Sequence, residues 1–151
     1  MQSYAAGIVP YRIQGDEIYF LLGLEKSNDK WSGFVGSSEK YESVIQTAVR
    51  EFNEESSLVF QDYLQFFYDA CIITKPIIEK TPSGKPLYIW FIECYINVDL
   101  EQLVTNQLYL QDPVFKEKSK LRWFSLSEIA GKGEVNLPIY YRLKSSILKH
   151  F

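Results

Sequence analysis

Residues Ser43 to Ser56, SVIQTAVREFNEES, fit one local structure. Ile45, Ala48, Val49 and Phe52 recur at the spacing of one helix face, and Ser43 with Gln46 three residues later makes a capping-box pattern. A second feature shares this helix. Glu51, Glu54 and Glu55 fall within about 100° of its circumference. Like charges one turn apart repel by a few tenths of a kcal/mol, so a chain that clusters them needs either open solvent or a cation. A hard divalent cation takes oxygen ligands and few direct carboxylates, which three glutamates and a nearby backbone carbonyl can supply. Arg50, four residues before Glu54, can orient such a cluster. Taken alone, the same residues also fit a solvated helix face with ordinary ion pairs.

The rest of the chain reads as strands around this helix. Ser3 to Ile13 and Glu17 to Leu24 are β-prone runs on either side of Gln14-Gly15-Asp16, the signature of a hairpin. Glu25 to Gly33 reads as a polar loop and Phe34 to Ser38 as a short strand. Tyr63 to Thr74 and Leu87 to Asn97 are rich in aromatic and branched residues and read as two more strands, with KPIIEKTPSGKP between them as a long loop. Leu100 to Leu108 reads as a short helix, Asp112 to Ser119 as a polar loop, Leu121 to Phe124 as a last strand, and Ser125 to Ala130 as a short helix. Tyr140 to Phe151 is a closing helix after Pro138. One domain of 151 residues is expected, with a mixed sheet and few helices, so α+β or a three-layer α/β/α sandwich.

Composition removes several functions. Aromatic residues make up 16% and the net charge is -3, which excludes intrinsic disorder and argues against a chain built to grip a nucleic-acid backbone. The longest apolar run, Leu87 to Ile96, is too short to span a bilayer and contains Glu93. The first residues lack a basic stretch followed by an apolar one, so a cytoplasmic location is expected. Cys71 and Cys94 lie in apolar surroundings and read as buried free thiols. The only histidine, His150, is next to the C-terminus. A Ser-His-Asp or Cys-His catalyst needs an internal imidazole, so acid–base chemistry here would run on carboxylates, lysine, tyrosine or a water activated by a metal.

The wider spacing is more specific. Gly36 is followed by Glu42, then Arg50-Glu51, Phe52, Glu54-Glu55 and Leu58. This resembles the Nudix box, G-x5-E-x7-R-E-U-x-E-E-x-G-U, with U a bulky apolar residue. Ser57 stands where the box has its second glycine. Val35 and Tyr41 stand at two further positions that are often glycine. Trp31, Phe34 and LRWFSLSEI (Leu121 to Ile129) extend the resemblance along most of the chain. It implies a Nudix α/β/α sandwich and a hydrolase that cleaves a nucleoside diphosphate linked to another moiety, with Mg²⁺, or Mn²⁺ in its place. By position in the box, Glu51, Glu54 and Glu55 would be metal ligands. Glu54 or Glu51 would alternatively handle the attacking water, and Arg50 would orient them. Gly36 would allow close backbone approach, with Glu39 and Glu42 in support.

Outside the box, Glu93, a charge in an apolar run, and Glu117 are candidates for a further base or ligand; Glu117 reads first as a surface carboxylate. Tyr4, Tyr11, Phe66, Tyr68, Tyr88 and Trp90 could stack on a base but read mostly as packing, and Lys116 to Arg122 reads as a solvated basic loop. Sub-family markers are absent after the box: Ile73 to Pro76 has no tyrosine, and Pro76 is slightly far. With four arginines in all, a very highly charged ligand is not favoured. The expected substrate is a small nucleotide, a nucleoside triphosphate or a dinucleoside polyphosphate. The alternative is a Nudix-fold module that binds nucleotide without catalysis, for which Ser57, Val35 and Tyr41 are the grounds.

Overall fold

The computed structural model describes residues 3–131 and 138–151. Strands β1 (Ala5–Gln14) and β2 (Glu17–Glu25) form the expected hairpin, with Gly15 at φ +60° in its turn. A two-residue strand β3 (Trp31–Ser32) and β4 (Phe34–Ser37) follow, and then helix α1 (Val44–Glu55). Next come α2 (Leu64–Ile73), β5 (Ile77–Lys80), β6 (Pro86–Glu93), α3 (Gln102–Tyr109), β7 (Lys118–Ser125), α4 (Leu126–Ile129) and α5 (Tyr141–His150).

All seven strands join one sheet, in the order β3-β2-β1-β6-β5, with β4 on β1 and β7 on β2. The pairing of β1 with β6 is parallel and the other strand pairings are antiparallel, so the sheet is mixed, as expected. One edge of β1 pairs with β2 at residues 11–14 and with β4 at residues 5–8. The strands fan apart between those two stretches.

Alternation along the strands divides the core into two layers. Ala6, Ile8, Leu21, Trp90 and Ile92 face α1, α2 and α3, where Phe52, Phe60, Phe67 and Leu103 close the layer. Val9, Phe20, Leu22, Ile89 and Phe91 face the other way, onto Ile129 of α4 and Leu143 and Ile147 of α5. The result is the α/β/α sandwich. Cys71 and Cys94 are buried and free. Among the described residues no helix is long and apolar enough to cross a membrane.

Four segments differ from the sequence expectation. Tyr63 to Thr74 is not a strand. A 3-10 turn (Gln61–Tyr63) leads into α2, which buries Phe67 and Cys71 and leaves Ile72 and Ile73 exposed. Its residues are β-prone, but the four-residue spacing of Phe67 and Cys71 lets the segment cover Phe52 and Phe60 as a helix, and packing overrides propensity. The indole of Trp90 donates to the carbonyls of Cys71 and Thr74, capping the end of α2. The long loop KPIIEKTPSGKP contains β5, which forms a hairpin with β6 around Gly84 at φ +89°. The polar loops are shorter than expected: Glu25 to Gly33 includes β3, and Asp112 to Ser119 includes a 3-10 turn (Pro113–Phe115) and the start of β7.

Candidate active site

Helix α1 places the carboxylates, and both its ends are fixed by local chemistry. At the start, Ser43 and Gln46 exchange side-chain-to-backbone hydrogen bonds of 3.1 and 2.9 Å, completing the capping box. At the end, Ser57 N–H donates to the Glu54 carbonyl and Leu58 N–H to the Asn53 carbonyl, the paired bonds of a Schellman motif. Ser57 and Leu58 adopt φ of +54° and +64°. Tyr41 also takes a left-handed conformation, at φ +68°. The backbone at both sites therefore keeps the form that glycine would adopt most cheaply.

Ser57 offsets that strain with its hydroxyl, which donates to the Phe115 carbonyl at 2.6 Å and accepts from Gln107 at 2.9 Å. The box helix is thereby tied to α3 and to the loop before β7. Left-handed φ costs a non-glycine residue about 1–2 kcal/mol, and each buried group left without its partner costs about 1–3 kcal/mol. Ser57→Ala keeps the strain and loses both bonds, so it should destabilise the protein by about 2–3 kcal/mol. Ser57→Gly relieves the strain and should lose about half as much. Urea unfolding of the two variants tests this; equal losses would remove strain from the account.

Arg50 is the hub of the carboxylates. Its Nε and Nη2 grip Glu42 at 2.7 and 3.0 Å, and Nη1 reaches Glu51 at 2.9 Å and Glu54 at 3.2 Å. Nη2 also donates to the Ser37 carbonyl at 2.8 Å, and exposed Glu39 lies 3.7 Å from Nη1. The helix is thereby locked to the end of β4. Glu42 further accepts from Thr47 Oγ1 and Glu39 N–H. Hydrogen bonding by Arg50 holds the Glu42 carboxyl down at about 2. Glu42 therefore stays ionised and its oxygens are spent on Arg50, which makes it a holder of the arginine.

Gly36 sits under the Glu51 carboxylate, and an ideal Cβ there would overlap that group. The two residues are 15 apart in the sequence but touch because β4 runs beneath α1. Burial pushes the Glu51 carboxyl up to about 7, against the opposing pull of Arg50. Glu54 is also raised by burial. Glu55 is nearly completely buried, and burial pushes it to about 8, although the Lys118 charge pulls it down.

Lys118 is a residue that sequence reasoning assigned to a solvated loop. It is fully buried at the start of β7. Its ammonium hydrogen-bonds Ser32 Oγ and the Gly33 carbonyl, and lies 3.4 Å from Glu25 and 3.6 Å from Glu55. The Oε2 of Glu55 is buried and has no hydrogen-bond partner among the described residues. A lysine in an alternating polar run carries no sequence signal for this. Only the register of β7 against Gly23 to Glu25 of β2 turns it inward.

The other candidates separate. Glu117 is exposed and makes no ion pair with the cluster, but it lies near enough for its charge to add to the upward shifts of Glu51, Glu54 and Glu55. Glu93 stands at the exposed end of β6 opposite Tyr11 and joins none of the cluster's ion pairs. Trp90 is buried and caps α2, and Tyr88 packs at the edge of the core.

A cavity of about 480 Å³ opens on the α5 side of the sheet. Glu25, Ser32 and Gly33, all partners of Lys118, line it, together with Tyr140, Tyr141 and Lys149. These tyrosines were not among the aromatic residues that the sequence suggested for stacking. Their only sequence signal was position, two and three residues after Pro138 at a helix start.

The cluster has the right chemistry for a hard cation. Its donors are all oxygens, Gly36 leaves Glu51 the room a side chain would take, and Glu55 Oε2 lacks any partner. Among the described residues no three such ligands already converge on one point, since Glu51 and Glu54 are turned onto Arg50.

No protein-family model and no curated protein sequence matches the chain. Solved structures do. An Ap4A hydrolase from C. elegans, as a binary complex, superimposes with a TM-score of 0.59 at 21% identity, over 96% of this chain and 93% of that one. A MutT/Nudix family protein from Listeria innocua gives 0.59 at 17% identity, over 97% and 90%. The Nudix domain of Shewanella oneidensis NrtR, complexed with ADP ribose, gives 0.54 at 15% identity, over 99% and 86%. The chain has the fold of the Nudix hydrolases.

Proposed function

We propose that the chain is a divalent-cation-dependent hydrolase that cleaves a phosphoric anhydride bond in a nucleoside triphosphate or a dinucleoside polyphosphate. The observation that carries this reading is the carboxylate cluster of α1, with Arg50 holding Glu51 and Glu54 and with one oxygen of Glu55 buried and free. Glu51, Glu54 and Glu55 would hold Mg²⁺, or Mn²⁺ in its place. Bound there, the cation would neutralise phosphate charge and make water a better nucleophile. In the alternative arrangement, with Glu51 and Glu55 alone holding the cation, Glu54, raised by burial but still partly exposed, would take the proton of the attacking water. Arg50 and Glu42 keep these groups in register with β4.

The cavity has the volume of a small-molecule site and offers Tyr140 and Tyr141 as stacking surfaces for a base. Lys80 and Lys149 line it too, and Lys85 reaches Ser37 Oγ at 2.7 Å, beside the end of β4. These cations are available to phosphate groups on the α5 side of the sheet and, for Lys85, at the end of β4. The likeness to an Ap4A hydrolase supports the dinucleoside polyphosphate member of the pair.

The test is a hydrolysis screen over nucleoside triphosphates and their oxidised forms, dinucleoside polyphosphates, ADP-ribose, NADH, nucleotide sugars and capped RNA, each with Mg²⁺, Mn²⁺ or chelator. Metal-dependent release of nucleotide or phosphate from a nucleoside triphosphate, its oxidised form or a dinucleoside polyphosphate, abolished by chelator, is expected. A panel silent with both cations would overturn the proposal in favour of a binding module.

A further inference from the structure

We propose that Lys118 is a built-in counter-cation of the carboxylate cluster, which balances the charge of Glu55 and competes with a divalent cation for it. This rests on the reading that Glu51, Glu54 and Glu55 form the cation site.

The structure is fitted around this lysine. A Cβ on Gly23 would stand 2.9 Å from Lys118 Cδ and 3.1 Å from Cε, so the glycine on the neighbouring strand leaves the groove in which the lysine stem lies. The ammonium, fully buried, meets Ser32 Oγ, Gly33 O at 3.0 Å, Glu25 Oε1 at 3.4 Å and Glu55 Oε1 at 3.6 Å. Its acceptors come from β2, β3 and the residue after β3, and α1 adds the Glu55 carboxylate just outside them. Burying a charge is costly, and a position needed only for packing would be better filled by an apolar side chain.

The split at Glu55 is informative. Ser32, Gly33 and Glu25 accept the three ammonium protons, while Glu55 Oε1 lies just beyond hydrogen-bond range. Lys118 therefore neutralises Glu55 without saturating it, and Oε2 is left buried and unpartnered. A positive charge at this distance repels a dication that Glu55 would help to hold, and the low local dielectric strengthens that repulsion. The lysine thus lets the protein keep a buried carboxylate when no cation is bound, at the expense of affinity when one is.

The test is Mn²⁺ binding to the full chain, measured by electron paramagnetic resonance of the free ion, together with melting temperatures, both at pH 8.5, where Glu55 is mostly ionised without metal. Lys118→Met should melt lower than wild type without metal but bind Mn²⁺ at least about tenfold tighter. Adding Glu55→Gln should restore much of the metal-free melting temperature. Equal or weaker Mn²⁺ binding by Lys118→Met would overturn the proposal, because a merely structural lysine lowers stability without tightening the site. If Lys118→Met does not fold, Lys118→Gln, which keeps a polar group beside Ser32 and Gly33, is measured in its place. Tighter Mn²⁺ binding than wild type supports the proposal, and equal or weaker binding overturns it. Wild-type protein that binds no Mn²⁺ overturns the cation-site reading itself, a result distinguishable from the other two.

Discussion

Glu54→Gln should lose hydrolysis by about 10²- to 10⁴-fold while the protein stays folded. The substitution keeps the side chain's shape and removes its charge and its ability to take a proton. The folding cost is small because Arg50 retains Glu42 and Glu51 as closer partners, at 2.7 and 2.9 Å against 3.2 Å for Glu54. Partly exposed ion pairs of this kind contribute about 0–1 kcal/mol, so the melting temperature should move by no more than about 4 °C. The assay is turnover of the best substrate from the screen at saturating Mg²⁺, with thermal unfolding of the same preparation. Turnover within a few-fold of wild type would remove Glu54 from the chemistry and turn attention to Glu51 or to exposed Glu117, whose charge is felt at the same cluster.

With chelator present, the protein should lose stability steadily as the pH rises from about 5 to about 8. Glu51 and Glu55 have folded-state pKa values pushed by burial to about 7 and about 8. An unfolded glutamate ionises near 4.5. The folded protein therefore holds protons that the unfolded chain has already released. That contribution is complete below the unfolded value and disappears as the pH passes the folded ones. Its size is on the order of a few kcal/mol, or about 5–10 °C in melting temperature for a chain of this length.

Glu42 acts with the opposite sign. Its folded pKa is held near 2 by Arg50, so its contribution is present above the unfolded value and is lost as the pH falls from about 4.5 towards 2. Stability without metal should therefore peak near pH 5. A divalent cation favours the ionised carboxylates, so the stabilisation by Mg²⁺ should grow with pH over the range in which the metal-free protein weakens. A flat metal-free profile between pH 5 and 8 would show that Glu51 and Glu55 are not shifted by burial.

Local chemistry was legible without coordinates. The capping box at Ser43 and Gln46, the apolar stripe of α1 and the shared side of Glu51, Glu54 and Glu55 all depend on residues within one or two turns. The spacing from Gly36 to Leu58 added a resemblance that anticipated the mixed sheet and the sandwich. Where neighbours in space are distant in sequence, the reading faltered. Tyr63 to Thr74 has the composition of a strand, but it folds as α2 because Phe52 and Phe60 offer its Phe67 a helical packing partner.

The sequence by itself determined which helix carries the carboxylates and how that helix begins. Tertiary structure alone decided what each carboxylate meets. Glu51 lies over Gly36 because β4 passes beneath α1, and Glu42 and Glu51 share Arg50 because the loop of residues 38–43 folds back on the helix. Glu55 meets Lys118, 63 residues later, because the register of β7 on β2 turns that lysine inward past Gly23. Helical periodicity is a property of adjacent residues and survives in any context. A buried charge takes its character from whichever strands close around it, and strand register is set by the whole sheet.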